Sequence, residues 1–249
     1  MRTLLCSAVA LAFTLSARAE EKSAAPAPGT QTAQSVEVTD DKGGKTTLRY
    51  WLALPPVSET KPAGGYPLMI FMHGAGERGD NLELVKKHGP AKLAGTKPEL
   101  NRFIIVSPQC PANRSWDLVA LKGLIDHTLK TQPADKDRII LTGLSMGGFA
   151  TWGLLAAHPD LAAAAVPICG GSDPAMAEKF KHVPIHVYHG AKDTAVPQKK
   201  SDDMIEALKK AGGNPEYTVY PDAGHDSWTA AYADPKLYEW MLAQKKAEK

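Results

Sequence analysis

Three segments of the chain carry side chains suited to acyl transfer. Gly143-Leu144-Ser145-Met146-Gly147 follows the apolar run Ile139 to Leu141 and precedes a helical stretch, Met146 to His158. A serine hydroxyl can stand clear of a sheet at a sharp strand-to-helix turn, provided the flanking residues are small. Gly143 and Gly147 meet that demand, and Gly148 lets the following helix approach the sheet. The Met146 N–H then lies at the start of a helix, where developing negative charge is favoured. Serine is a weak nucleophile without a base, and the base needs a carboxylate to hold it. The run Ile185 to Tyr188 leads into His189-Gly190-Ala191-Lys192-Asp193, and Tyr217 to Tyr220 leads into Pro221-Asp222-Ala223-Gly224-His225-Asp226. Ser145, Asp193 and His225 thus each follow a strand, and such loops open on one edge of a parallel sheet. Asp222 and Asp226 are rival acids in the same turn as His225; Asp193 is favoured because its own strand can hold it rigidly.

A second backbone donor for an oxyanion would come from the loop His73-Gly74-Ala75-Gly76-Glu77-Arg78-Gly79-Asp80, with Ala75 the candidate beside Met146. Glu77 and Arg78 read as an ion pair bracing that loop. Trp116 and Trp228 fall in loops at the same edge and read either as an aromatic wall for an acyl group or sugar, or as rim packing. His186 and His189, three apart on or just beyond a strand, face opposite sides and make a poor metal pair. With no HExxH or CxxC pattern elsewhere, no metal site is expected. His73, His88, His127, His158 and His182 read as loop or helix-end residues.

These side chains need a scaffold of alternating strands and helices. Val36 to Val38 and Thr46 to Leu54, with the turn Asp41-Lys42-Gly43-Gly44 between them, read as an antiparallel hairpin. Leu68 to Met72, Phe103 to Val106, Ile139 to Leu141, Ala162 to Ile168, Ile185 to Tyr188 and Tyr217 to Tyr220 are short apolar runs. Such runs suit strands covered on both faces. Helical spacing appears over Leu118 to Lys130, Gln198 to Ala211 and Pro235 to Lys246. The order implies an α/β fold, a mostly parallel sheet of eight strands with helices on both faces. Only about a dozen residues, Gly171 to Val183, join the sixth and seventh strands, too few for a large cap domain.

The chain has 249 residues, 43% hydrophobic and 22% charged, enough for one domain with a substantial core. Lys and Arg number 29 against 27 Asp and Glu, a net charge of +2. That balance lacks the basic excess of a nucleic-acid binder. Residues 1–19 read as an export signal: Arg2, the apolar run Leu4 to Leu15, then Ala17-Arg18-Ala19 before Glu20. A periplasmic or secreted protein with no integral membrane segment after cleavage is expected. Residues 20–34 read as a flexible linker and 35–249 as the catalytic domain. Three cysteines cannot form a disulfide scaffold, and Cys6 would leave with the signal.

Taken together, the segments His73 to Gly79, His88-Gly89-Pro90, Ser107 to Pro111 with Trp116, Gly143 to Gly148, His189 to Pro197 and Gly224-His225-Asp226-x-Trp228 resemble the α/β-hydrolase superfamily. The resemblance covers nearly everything from about residue 36 onward. More narrowly, the chain is similar to secreted bacterial esterases of the dienelactone-hydrolase, feruloyl-esterase and polyhydroxybutyrate-depolymerase-like groups, and to predicted peptidases of the phospholipase/carboxylesterase kind. It implies a three-layer α/β/α sandwich, a Ser145–His225–Asp193 triad, an oxyanion hole at Ala75 and Met146, and no cofactor. A dienelactone hydrolase would use cysteine as nucleophile; Ser145 here points away from that particular substrate. In the family's strand order two strands separate Cys110 from Cys169, so both are expected as free thiols. The expected partner is a small-molecule or polymer-borne ester. The rival readings are a serine peptidase of the prolyl-oligopeptidase type and a non-catalytic carbohydrate- or lipid-binding module.

Overall fold

The computed structural model describes residues 29–56 and 62–247. The proposed export signal and residues 20–28 of the proposed linker lie outside them. Eight strands form one sheet in the order β1-β2-β4-β3-β5-β6-β7-β8. They are β1 (Gln31–Thr39), β2 (Lys45–Ala53), β3 (Tyr66–Met72), β4 (Ile104–Pro108), β5 (Ala134–Leu144), β6 (Ala164–Ile168), β7 (His186–Gly190) and β8 (Glu216–Tyr220). The β1–β2 and β2–β4 pairs are antiparallel and the others parallel. Helices α1 (Gly89–Leu93), α2 (Leu118–Thr131), α3 (Met146–Ala157), α4 (Ala177–Phe180), α5 (Lys199–Lys210), α6 (Trp228–Ala233) and α7 (Pro235–Ala243) connect and cover them.

Successive strand residues point to opposite faces, so an all-apolar strand must be covered twice. In β3, Leu68, Ile70 and Met72 pack with residues of α2, α3, α4 and α5. Met69 and Phe71 pack with residues of α1, α6 and α7 on the other side. The molecule is therefore three layers with two cores, as the apolar runs imply.

The sequence misplaces the start of the first strand. Residues 31–34, read as linker, belong to β1, whose nine residues pair one-to-one from Gln31↔Ala53 to Thr39↔Lys45. Gln31 to Gln34 are mostly exposed on a sheet edge. Backbone pairing holds them there, helped by the Gln31 side-chain amide donating to Ala91 O at 2.8 Å, and no apolar pattern could announce either. Similarly β5 begins at Ala134, five residues before its apolar run, because a register shift between Pro67 and Leu68 carries the pairing back to Tyr66↔Ala134. Two strands, β3 and β5, do separate Cys110 from Cys169, and both thiols are free and buried. The β6–β7 connection holds only a turn at Pro174–Met176 and the four-residue α4.

The β6–β7 seam is sparsely bonded. Ala165 N–H donates to Pro184 O at 3.0 Å and Cys169 N–H to Tyr188 O at 2.9 Å. Parallel pairing at that spacing calls for a donor at position 167 between them. Pro167 has no N–H to give.

Candidate active site

Ser145 sits between the end of β5 and the first residue of α3, with φ 52° and ψ −116°. A non-glycine residue there costs about 1–3 kcal/mol and persists only where its surroundings fix it. Here the Ser145 N–H donates to Ile168 O of β6 at 3.0 Å, and its C=O accepts from the Phe149 N–H at 3.0 Å. The next constraint is Gly147. A Cβ at that position would lie 1.9 Å from Met72 O at the end of β3, so only glycine lets α3 start this close to the sheet.

Asp193 lies in the turn after β7, where its N–H donates to Gly190 O at 3.2 Å. Its Oδ1 accepts from the N–H groups of Ala195 and Val196, both at 2.9 Å. His225 lies beyond β8. The two loops touch backbone to backbone: Lys192 N–H donates to Ala223 O at 2.9 Å, and a Cβ at Gly190 would meet Gly224 O at 2.1 Å. His225 Nδ1 is 2.7 Å from Asp193 Oδ2, and His225 Nε2 is 2.9 Å from Ser145 Oγ. A carboxylate accepts only, so Nδ1 carries the proton and Nε2 is free to take one from serine. Burial pushes the Asp193 pKa up. The hydrogen bonds from His225, Val196 and Ala195 outweigh that and carry it below the ordinary carboxylate value. The rival acids are elsewhere: Asp222 pairs with Lys192 at the surface, and Asp226 accepts from Thr229 N–H.

Met146 and Ala75 are each the first residue of a helical turn, α3 and the turn Ala75–Glu77. First-turn N–H groups have no acceptor within their own helix. The two turns adjoin, since a Cβ on Gly74 would lie 2.8 Å from Leu144 Cδ1. First-turn N–H groups of this kind are suited to holding an oxyanion.

Several supporting residues escape sequence reasoning. His73 is buried; its Nδ1 donates to Gly74 O at 2.7 Å and its Nε2 accepts from Cys110 N–H at 3.1 Å. Burial lowers its pKa, so it serves as a neutral clamp between the Ala75 loop and the end of β4. His189 Nε2 lies 2.9 Å from Val196 O and 3.3 Å from Asp193 Oδ2, bracing the carboxylate turn. Its four-residue spacing from Asp193 in one turn was the available signal. The expected Glu77–Arg78 ion pair does not form. Buried Glu77 faces Lys87 and His88, each at 3.6 Å. Arg78 instead donates to Ala75 O at 3.0 Å and Arg114 O at 3.2 Å. Glu77 turns its carboxylate into the interior while Arg78 reaches over backbone carbonyls, which separates the two charges.

Trp116 lies in a loop as expected, whereas Trp228 is the first residue of α6 rather than a loop residue. Trp116 is buried against His73, donates its indole N–H to His73 O at 3.2 Å, and lines a groove shared with Ser145. Trp228 packs edge-on against both His225 and His88, with centroids 5.2 and 5.6 Å away. Among the described residues one group could bring several metal-ligand atoms together: Cys169, Asp193 and His225, within 4.8 Å of one another. Burial pushes the Cys169 thiol up to about 12, leaving it neutral, and the other two are already bonded to each other. That chemistry suits a proton relay better than a cation.

A mostly parallel sheet with a hydroxyl, imidazole and carboxylate at its rim defines a hydrolase of the α/β-hydrolase fold. Within that class, residues 119–247 match the dienelactone hydrolase family, and the chain belongs to it. A carboxymethylenebutenolidase-like protein of Escherichia coli (strain K12) is 30% identical over 126 residues, covering 43% of this chain and 46% of that protein. A thermostable esterase of known structure superimposes with a TM-score of 0.77 at 31% identity, over 86% of this chain and 63% of the esterase. An acylaminoacyl peptidase shares the fold at 18% identity, with a TM-score of 0.62 over 88% of this chain and 43% of the peptidase. The chain thus spans less than two thirds of each of these proteins.

Proposed function

We propose that the chain hydrolyses carboxylic esters with Ser145 as nucleophile. The observation that carries this reading is the continuous hydrogen-bonded series Ser145 Oγ, His225, Asp193, at 2.9 and 2.7 Å. His225 Nε2 takes the serine proton as Oγ attacks the ester carbonyl carbon, and the carbonyl π pair moves onto oxygen. The Ala75 and Met146 N–H groups hold that oxyanion. As the C–O bond to the alcohol breaks, His225 returns the proton to the leaving oxygen. Water, deprotonated by the same imidazole, then releases the acid and restores Ser145. Asp193 keeps the imidazole oriented and offsets its charge throughout.

Ester rather than peptide cleavage is favoured by the 31% identity to an esterase, and the short β6–β7 connection, which leaves no room for a large cap, favours water-soluble or polymer-borne esters over bulk lipid. Ser145→Ala should lower turnover of p-nitrophenyl acetate by about 10⁵-fold or more and abolish labelling by a fluorophosphonate. Undiminished turnover in that variant would refute the mechanism. Faster cleavage of matched peptide amides than of esters would favour the peptidase reading.

The localisation proposal is export, supported by residues 1–20 of the sequence alone. N-terminal sequencing of secreted protein should begin at Glu20. Among the described residues, no helix is long and apolar enough to cross a membrane.

A further inference from the structure

A groove of about 500 Å³ opens beside Ser145 between α3 and the start of α2. Its walls are Trp116, Leu118, Met146 and Phe149, with Ala150 and Gly153 as floor. None of its lining side chains carries a charge. Phe149 is 39% exposed, and among the described residues the one other large apolar side chain exposed to that degree is Val119, the neighbour of Leu118 in α2. An exposed aromatic ring one helical turn beyond the nucleophile has no packing role that explains it, and apolar surface left open beside a reactive group marks a binding site.

The groove's position decides which half of an ester it takes. His225 must stand next to the leaving oxygen to return the proton, so the alcohol lies on the His225 and Trp228 side. Neither residue lines the groove, which runs from Ser145 past Met146, a proposed oxyanion donor. The part of the substrate that remains bonded to Ser145 is the part that can lie there. We infer that this groove is the acyl site and selects uncharged, apolar acyl groups longer than acetyl, with Phe149 a specificity-determining residue. This rests on the Ser145 ester-hydrolase reading. An acyl chain ending in a carboxylate would meet no cation among the lining side chains.

The test is a set of p-nitrophenyl esters with one leaving group and a varied acid. From acetate through butyrate to hexanoate, kcat/KM should rise roughly threefold per methylene, while the monoester of adipic acid should fall to the acetate level or below. Phe149→Ala should cut the hexanoate-to-acetate ratio by about tenfold, and Phe149→Leu, which keeps apolar surface, should restore most of it. A flat acyl series in protein whose acetate turnover depends on Ser145 would overturn the inference and leave the ester-hydrolase reading standing. So would a gain that appears along alkyl acetates from ethyl to hexyl and disappears in Phe149→Ala, which would place the alcohol there instead. No Ser145-dependent turnover and no fluorophosphonate label would overturn both.

Discussion

Asp193 does two jobs at once, and the effects of removing it can be separated. It fixes the His225 ring through Oδ2 and ties down its own turn through Oδ1. Asp193→Asn keeps the shape but lets the amide present a donor to Nδ1, favouring the wrong imidazole tautomer. Turnover of a short ester should fall about 10³- to 10⁴-fold with KM little changed, measured by steady-state kinetics. Because folding lowers this carboxyl's pKa, its stabilising contribution is present above the ordinary carboxylate range and is lost as pH falls through the lowered value. The Asn variant should lack that part of the acid dependence of unfolding. The thiols give a second residue-level expectation. Burial pushes Cys110 up to about 11 and Cys169 up to about 12, so neither is a thiolate near neutral pH. Iodoacetamide should leave both unmodified in the folded protein and modify both after denaturation without reductant, read by mass spectrometry of peptides. Failure to label them in the unfolded chain would mean they are joined.

The elements that carry these residues were legible to differing degrees. The strands β3, β4 and β6 are buried on both faces, so the apolar run and the strand nearly coincide. Where pairing is held by backbone and polar hydrogen bonds rather than by apolar burial, as in the exposed first half of β1 and the polar start of β5, composition is silent and the boundaries slip. The site shows the same division. Ser145, Asp193 and His225 announce themselves because each follows a strand in a small-residue turn. His73, His189 and Glu77 do not, because their roles depend on which distant backbone groups the fold brings to them. Another such contact is Thr142 in β5, whose hydroxyl bonds Val166 O and the Tyr232 hydroxyl of α6, both at 2.8 Å. Tyr232 is fully buried there. Thr142→Val should leave its hydroxyl without this partner and cost about 1–3 kcal/mol, read as a lower urea midpoint at unchanged slope.

At the scale of the whole molecule, the site is assembled from two pieces that meet across β6. Ser145 arrives with β5 and α3. Asp193 and His225 arrive together with β7 and β8, their loops locked where Gly190 meets Gly224. Between the two pieces lies the one stretch of ladder that Pro167 leaves short of a donor. The sheet therefore carries a fault line, and it runs between the nucleophile and its base. Local opening follows the fewest bonds, and this boundary can part while both halves stay folded. Mild urea should therefore silence ester turnover before far-UV ellipticity changes, and amides flanking β6 should exchange sooner than those of β3. Superimposable inactivation and unfolding curves would show that the rift does not open on its own.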